Sequence, residues 1–141
     1  MNDEKLKVWT YIYFSALHIS EKIAKKDVKF KTISFLTNMI FIFCLGFGII
    51  IFGLLEGVYD VTVNVNDNII GFFIGLVFLA FLINQAISKL YKKYVNLPLA
   101  ELLVLKNTIN KGVLNWLFPV MAIVSIIVLS ISIIIGDLIR L

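Results

Sequence analysis

The chain has 141 residues, of which 60% are hydrophobic and 16% charged, with a mean hydropathy of +0.98. An average soluble domain is roughly 25% charged, so a soluble globular fold is excluded and a polytopic membrane protein is expected. The length suits one domain spanning residues 1–141, with no Ser/Gly/Pro-rich linker or internal repeat to divide it.

Residues 4–30 read as one amphipathic helix without a breaker. Leu6, Trp9, Tyr13, Ala16, Ser20 and Ile23 recur at three- and four-residue steps and form a face widened by Ile12 and Leu17. Trp9, Tyr11, Tyr13 and Phe14 suit the headgroup region, where rings with polar tips are at home, and Leu6–Ile19 is too short to be a span of its own. His18, the single histidine, has no second His, no Cys and no paired carboxylate near it, so no metal or general-base role is expected.

Three stretches then lack any charge, and they predict transmembrane helices at about 32–56, 68–88 and 112–136, each near the ~20 residues a span needs. The first apolar run begins only after Lys31 and no small-residue cleavage pattern follows, so the first span is expected to be retained. Lys5, Lys7, Lys22, Lys25, Lys26, Lys29 and Lys31 precede it, and Lys89, Lys92, Lys93, Lys106 and Lys111 separate the second and third spans. Between the first two lie only Glu56, Asp60 and Asp67. Basic loops stay inside, which predicts a cytoplasmic N-terminus and an extracytoplasmic C-terminus in a bacterial inner membrane. Lys22, Lys25, Lys26, Lys29, Lys31, Lys89, Lys92 and Lys93 are the membrane-surface basic residues. Beyond setting topology, the run from Lys22 to Lys31 is placed to seat the N-terminal helix on anionic lipid.

The outer loop alternates Val61, Val63 and Val65 with Thr62, Asn64 and Asn66, the pattern of a short extended segment that is either a loose loop or a pairing site between subunits. Within the spans, Gly46 and Gly53 line one side of the first helix and Gly71-Phe-Phe-Ile-Gly75 is a GxxxG in the second. Ser125 and Ser132 lie two turns apart on one face of the third. Such residues let helices approach closely, either within the chain or between copies. Asn38, Asn84 and Gln85 fall at similar depth near the inner ends of spans one and two. Amides are unfavourable in lipid, so these are expected to face one another, a neighbouring subunit or water, as interhelical bonds or as the polar mouth of a pore. Between spans two and three, Leu97-Pro98 is a break, followed by an amphipathic helix with Leu99, Leu102, Leu103 and Leu105 on one side and Glu101, Lys106 and Asn107 on the other. Asn110 and Gly112 give a stop before the last span.

No catalytic constellation is legible, neither Walker loop, HExxH, GxSxG nor CxxC, and none of the spans carries a buried ion. Cys44, alone in an apolar run, reads as a small core residue. The expectation is an all-α, non-enzymatic protein with no cofactor, no metal and no nucleic-acid partner. Its partners are the bilayer, further copies of itself and a protein in the membrane or cytoplasm.

Read from Lys7, "KVWTYIYFSALHISEKIAKKDVKFKTISFLTNMIFIF" resembles the SLATT family of membrane effectors: a Trp-containing amphipathic helix, an "aekrLkkk"-like run, here "SEKIAKKD", and then two spans joined by a tight outer loop. A further amphipathic helix follows, as "LPLAELLVLKNTINKG" does here. The resemblance covers residues 5–111, and the third span lies outside it. It implies an oligomeric pore-forming or membrane-disrupting effector of bacterial antiviral defence, commonly encoded beside a nucleotide-signal synthase or sensor. In size, three spans, orientation and basic middle loop the chain is also similar to colicin-type immunity proteins against pore-forming bacteriocins. An accessory subunit of a membrane complex is the third class.

Overall fold

The computed structural model describes residues 8–59 and 69–139. Among the described residues the fold is all-α, with six helices in the order α1 (Val8–Ile23), α2 (Val28–Tyr59), α3 (Ile69–Leu90), α4 (Lys92–Val95), α5 (Leu99–Asn107) and α6 (Lys111–Ile139), and no strand. The outer-loop segment 61–66 and residues 4–7 of the N-terminal helix lie outside the described residues. Three helices are long and apolar enough to cross a membrane: residues 28–56 of α2, with α3 and α6. At about 1.5 Å per residue, the 32 residues of α2 and 29 of α6 make roughly 48 and 44 Å of helix. That exceeds a hydrocarbon core of about 30 Å, and α1, α4 and α5 gather around the lysine-rich ends of the longer helices.

The unbroken helix expected over 4–30 is corrected: α1 ends at Ile23 and α2 begins at Val28. Asp27 takes φ 56°, in the left-handed region, while its carbonyl accepts the Lys31 N–H that opens α2. Aspartate enters that region more readily than most residues, and the kink sends α1 back along the first turns of α2. The aromatic belt is corrected with it. Tyr13 and Phe14 are buried in protein, together with Ile12, Ser15, Ala16 and Leu17; six consecutive buried residues leave α1 no lipid-facing flank there. Trp9 remains half exposed.

Ser15 ties α1 to α6. Its hydroxyl donates to Leu114 O (2.8 Å) and accepts from Phe118 N–H (2.9 Å), the two groups that a regular helix pairs with each other. The next residue is Pro119, which has no N–H and crowds the carbonyl four residues back. A side chain thus enters the ladder where it is weakest.

In the outer half, α2 and α6 run parallel at close range. A Cβ on Gly46 would lie 3.2 Å from the Leu129 backbone and from Ser132 Oγ, Gly53 faces the Cα of Gly136, and a Cβ on Gly136 would lie 3.3 Å from Ile49. Ser125 and Ser132 are buried, and their hydroxyls return to Met121 O and Val128 O of their own helix. By contrast α3 runs antiparallel to α2 and has a single buried residue, Ile87.

Two substitutions, each with a control, test this packing, read as loss of helicity on heating in detergent. Ser15→Ala is expected to cost about 1–3 kcal/mol, while Ser130→Ala, whose hydroxyl bonds back to Ile126 O on an exposed face, stays within about 0.5 kcal/mol. Gly46→Leu is expected to cost about 1–3 kcal/mol by overpacking, whereas Gly48, with open space around it, tolerates the same change.

Candidate functional site

Two regions concentrate polar chemistry: the junction where α1 meets α3–α5, and the membrane surface of α2 and α3. At the junction Tyr13 stacks against Tyr94 and lies against Tyr91, with centroids 5.4 and 4.9 Å apart, and Phe14 meets Tyr94 edge-on. Tyr91 Oη donates to Trp9 O (2.8 Å), and Thr10 shares a 3.3 Å hydrogen bond with Tyr94. Tyr13 Oη is buried without a partner. Burial pushes the Tyr13 hydroxyl up to about 12, reinforced by Tyr91 and Tyr94, and burial with Tyr94 beside it does the same to Tyr91.

The described lysines divide into two groups. Lys25, Lys26, Lys31, Lys89, Lys92 and Lys93 are exposed. Lys29 is engaged within the protein instead: its ammonium donates to Val95 O (2.9 Å) and Leu97 O (2.6 Å), carbonyls at the end of α4 that have run out of helical donors. Lys22 reaches Asn115 Oδ1 at 3.4 Å. Lys106, expected on the polar side of α5, is only 8% exposed and pairs with Glu21 of α1. It follows Leu102 by one turn, and Leu102 is the residue of α5 that is fully buried. Thr108 caps the C-terminus of α5, while Asn110 accepts from Gly112 N–H at the start of α6. The break at Leu97-Pro98 separates α4 from α5.

On the membrane surface the three amides do not meet one another. Asn84 Nδ2 donates to Thr37 Oγ1 (3.2 Å) across the α2–α3 contact, whereas Asn38 and Gln85 are exposed. In an antiparallel pair with Thr37 facing Asn84, the next residues each turn about 100°, to the same side. Asn38 and Gln85 therefore share one flank, and α1 packs on the other, where Leu36, Ile83 and Ile87 belong to its core. A Cβ on Gly71 or Gly75 would meet nothing within 4 Å, so this GxxxG makes no close contact among the described residues. Gly71, Gly75, Phe78, Leu82 and Gln85 follow at steps of four and three, which places them along one face of α3. On the opposite flank an apolar groove of ≈ 320 Å³ runs between α2, α3 and α6 beneath α1, with Trp9, Ile12, Met39, Phe43 and Val124 in its wall.

Among the described residues no group of His, Cys, Asp and Glu is placed to hold a metal ion. Ser15, Tyr91, Tyr94 and Thr37 carry contacts that the sequence did not single out. The pairing of the Ser15 hydroxyl with Leu114 O and Phe118 N–H, about a hundred positions away, has no periodic signature. Tyr13 and Phe14 were legible only as members of a headgroup belt, and nothing in the sequence pointed from them to Tyr91 and Tyr94. The fold and surface together define a polytopic, all-α membrane protein. Compared with known proteins, the chain matches no family model, no curated protein and no solved structure.

The tyrosines set an alkaline limit. An unfolded tyrosine loses its proton near 10.0, whereas folded Tyr13 and Tyr91 hold theirs to about 12. Their contribution is thus complete below pH 10 and is lost as pH rises from 10 to 12. The melting temperature in detergent is expected to fall across that window in step with tyrosinate absorbance. Tyr13→Phe should blunt the fall without loss at neutral pH, since its hydroxyl has no partner. Tyr91→Phe should cost about 0.5–1.5 kcal/mol at neutral pH through the lost bond to Trp9.

Proposed function

We propose that the chain is a protomer of a non-enzymatic, homo-oligomeric assembly that permeabilises the bacterial inner membrane as a defence effector, with its N-terminus in the cytoplasm and its C-terminus outside. The observation that carries this reading is α3: no residue along its most apolar 18 positions is buried, yet one face bears Gly71, Gly75 and the amide of Gln85. A Leu- or Phe-covered flank is at home in lipid, but a glycine face leaves contact area unused and an exposed amide forgoes its hydrogen bonds. A second copy of α3 supplies both, since small residues let the backbones approach and Gln85 finds an amide at its own depth. Asn38, turned to the same flank as Gln85, then contributes to a polar inner mouth. The resemblance of residues 5–111 to SLATT effectors supports the same reading. So does the distribution of lysines, which supports the orientation.

The test is membrane potential, read by dye uptake in bacteria after brief induction of the protein alone. Depolarisation is expected, and it should be abolished in the Asn38→Leu/Gln85→Leu double variant at equal membrane content. Asn84→Leu serves as the contrast, because it removes a bond inside the chain and should lower stability rather than selectively remove the leak. A normal potential at confirmed expression would overturn the pore and turn attention to an immunity protein or an accessory subunit.

A further inference from the structure

A cavity of ≈ 320 Å³ lies where α1, α5 and α6 converge, lined by His18, Lys22, Lys106, Asn107, Lys111 and Asn115 with Ile109 and Leu114 behind them. Three ammonium groups, of Lys22, Lys106 and Lys111, line this space, and of these Lys106 is paired with Glu21. Lys22 Nζ donates to Asn115 Oδ1, and because an amide oxygen accepts only, His18 Nε2, 2.9 Å from the same atom, carries a proton and donates as well. The Nδ1 of that ring is buried without a partner. Side chains from three elements, 93 or more positions apart in the cases of Lys22 and His18 with Asn115, are thus drawn into one pocket with positive charge in excess. Like charges collected around one space repel each other, and an anion between them relieves that repulsion.

We propose that this pocket binds a phosphate-bearing anion, with Lys22 and Lys111 as the charged donors and Asn115 and His18 holding Lys22 in place. Two exposed ammoniums and neighbouring amides suit the several acceptor oxygens of a phosphate. The volume falls at the lower end of small-molecule pockets, about 300–1,000 Å³, which leaves room for an ester as well as the phosphate itself. Depth fits a headgroup too. Phe35 stacks on Phe118 in the parallel pair and Thr37 bonds Asn84 in the antiparallel one. Carrying both registers along at about 1.5 Å per residue places Asn115 level with Lys89, the first charge beyond the apolar stretch of α3. A lipid phosphate and a soluble phosphate ester therefore present the same chemistry to the pocket. The site does not depend on the pore reading, and its test does not use leak.

The experiment uses the full-length protein purified in detergent. Native mass spectrometry counts retained phosphatidylglycerol against phosphatidylcholine, and titration with inorganic pyrophosphate reads the soluble arm. Binding in either arm is expected, with affinity at least tenfold weaker in Lys22→Gln/Lys111→Gln. Lys92→Gln/Lys93→Gln, an equal loss of charge at the membrane surface away from the cavity, should leave pyrophosphate affinity within about twofold and reduce phosphatidylglycerol retention less than the cavity pair does. Lys22 and Lys111 are both exposed, and Lys111→Gln alone serves if the double variant lacks normal helicity. Phosphatidylglycerol alone would assign the site to lipid, and pyrophosphate alone to a soluble ester. The site would be overturned if neither bound, or if both double variants weakened binding equally, since that would leave only bulk charge.

Discussion

The hydroxyl of Ser15, set between Leu114 O and Phe118 N–H, is the contact on which the arrangement of the lysine-rich end depends. Backbone groups near hydrocarbon must find partners within the protein, and Pro119 removes one donor from α6 at that depth. Ser15 reinforces the neighbouring rung, and in doing so it fixes the height and rotation of α1 against α6. With α1 held there, Tyr13 meets Tyr91 and Tyr94, His18 meets Asn115, and Glu21 meets Lys106. These contacts follow along one helix from one anchored position.

The same anchoring leaves the molecule one-sided. α2 is gripped by α6 through Gly46, Gly53 and Gly136 and by α1 through its core face, while α3 is attached along a single edge. Three apolar helices do not close into a bundle merely by being apolar, because lipid solvates leucine as well as another helix does. Close approach of small residues and hydrogen bonding decide which pairs form. Between α2 and α6 both glycines and serines are used. On α3 the glycines Gly71 and Gly75 face outward.

The lysines show how one residue type serves two physical ends. Exposed ammoniums such as Lys92 and Lys93 remain hydrated, whereas Lys29 spends its donors on the orphaned carbonyls of Val95 and Leu97, and Lys106 is buried because Glu21 pairs with it. A buried cation without such a partner would be strongly unfavourable. The run from Lys22 to Lys31 thus includes structural ties, Lys29 of α2 to the end of α4 and Lys22 of α1 to α6, as well as surface charges.

The amino-acid sequence by itself determined the all-α class, the three membrane-spanning helices and the helical segment before α6, because continuous apolar runs and charge-free length are local properties. Element edges were legible to within a few residues for the spans, but the break at Asp27 was not, since an aspartate in the left-handed region differs from one in a helix only by what lies beyond it. Which amide pairs with which, which glycines are in contact and which lysines are tied down were decided by tertiary structure alone. Asn84 bonds Thr37, and Asn38 and Gln85 turn to the other flank, through the rotation of α3 about its axis relative to α2. A helical repeat leaves that rotation undetermined until the neighbouring helices are in place.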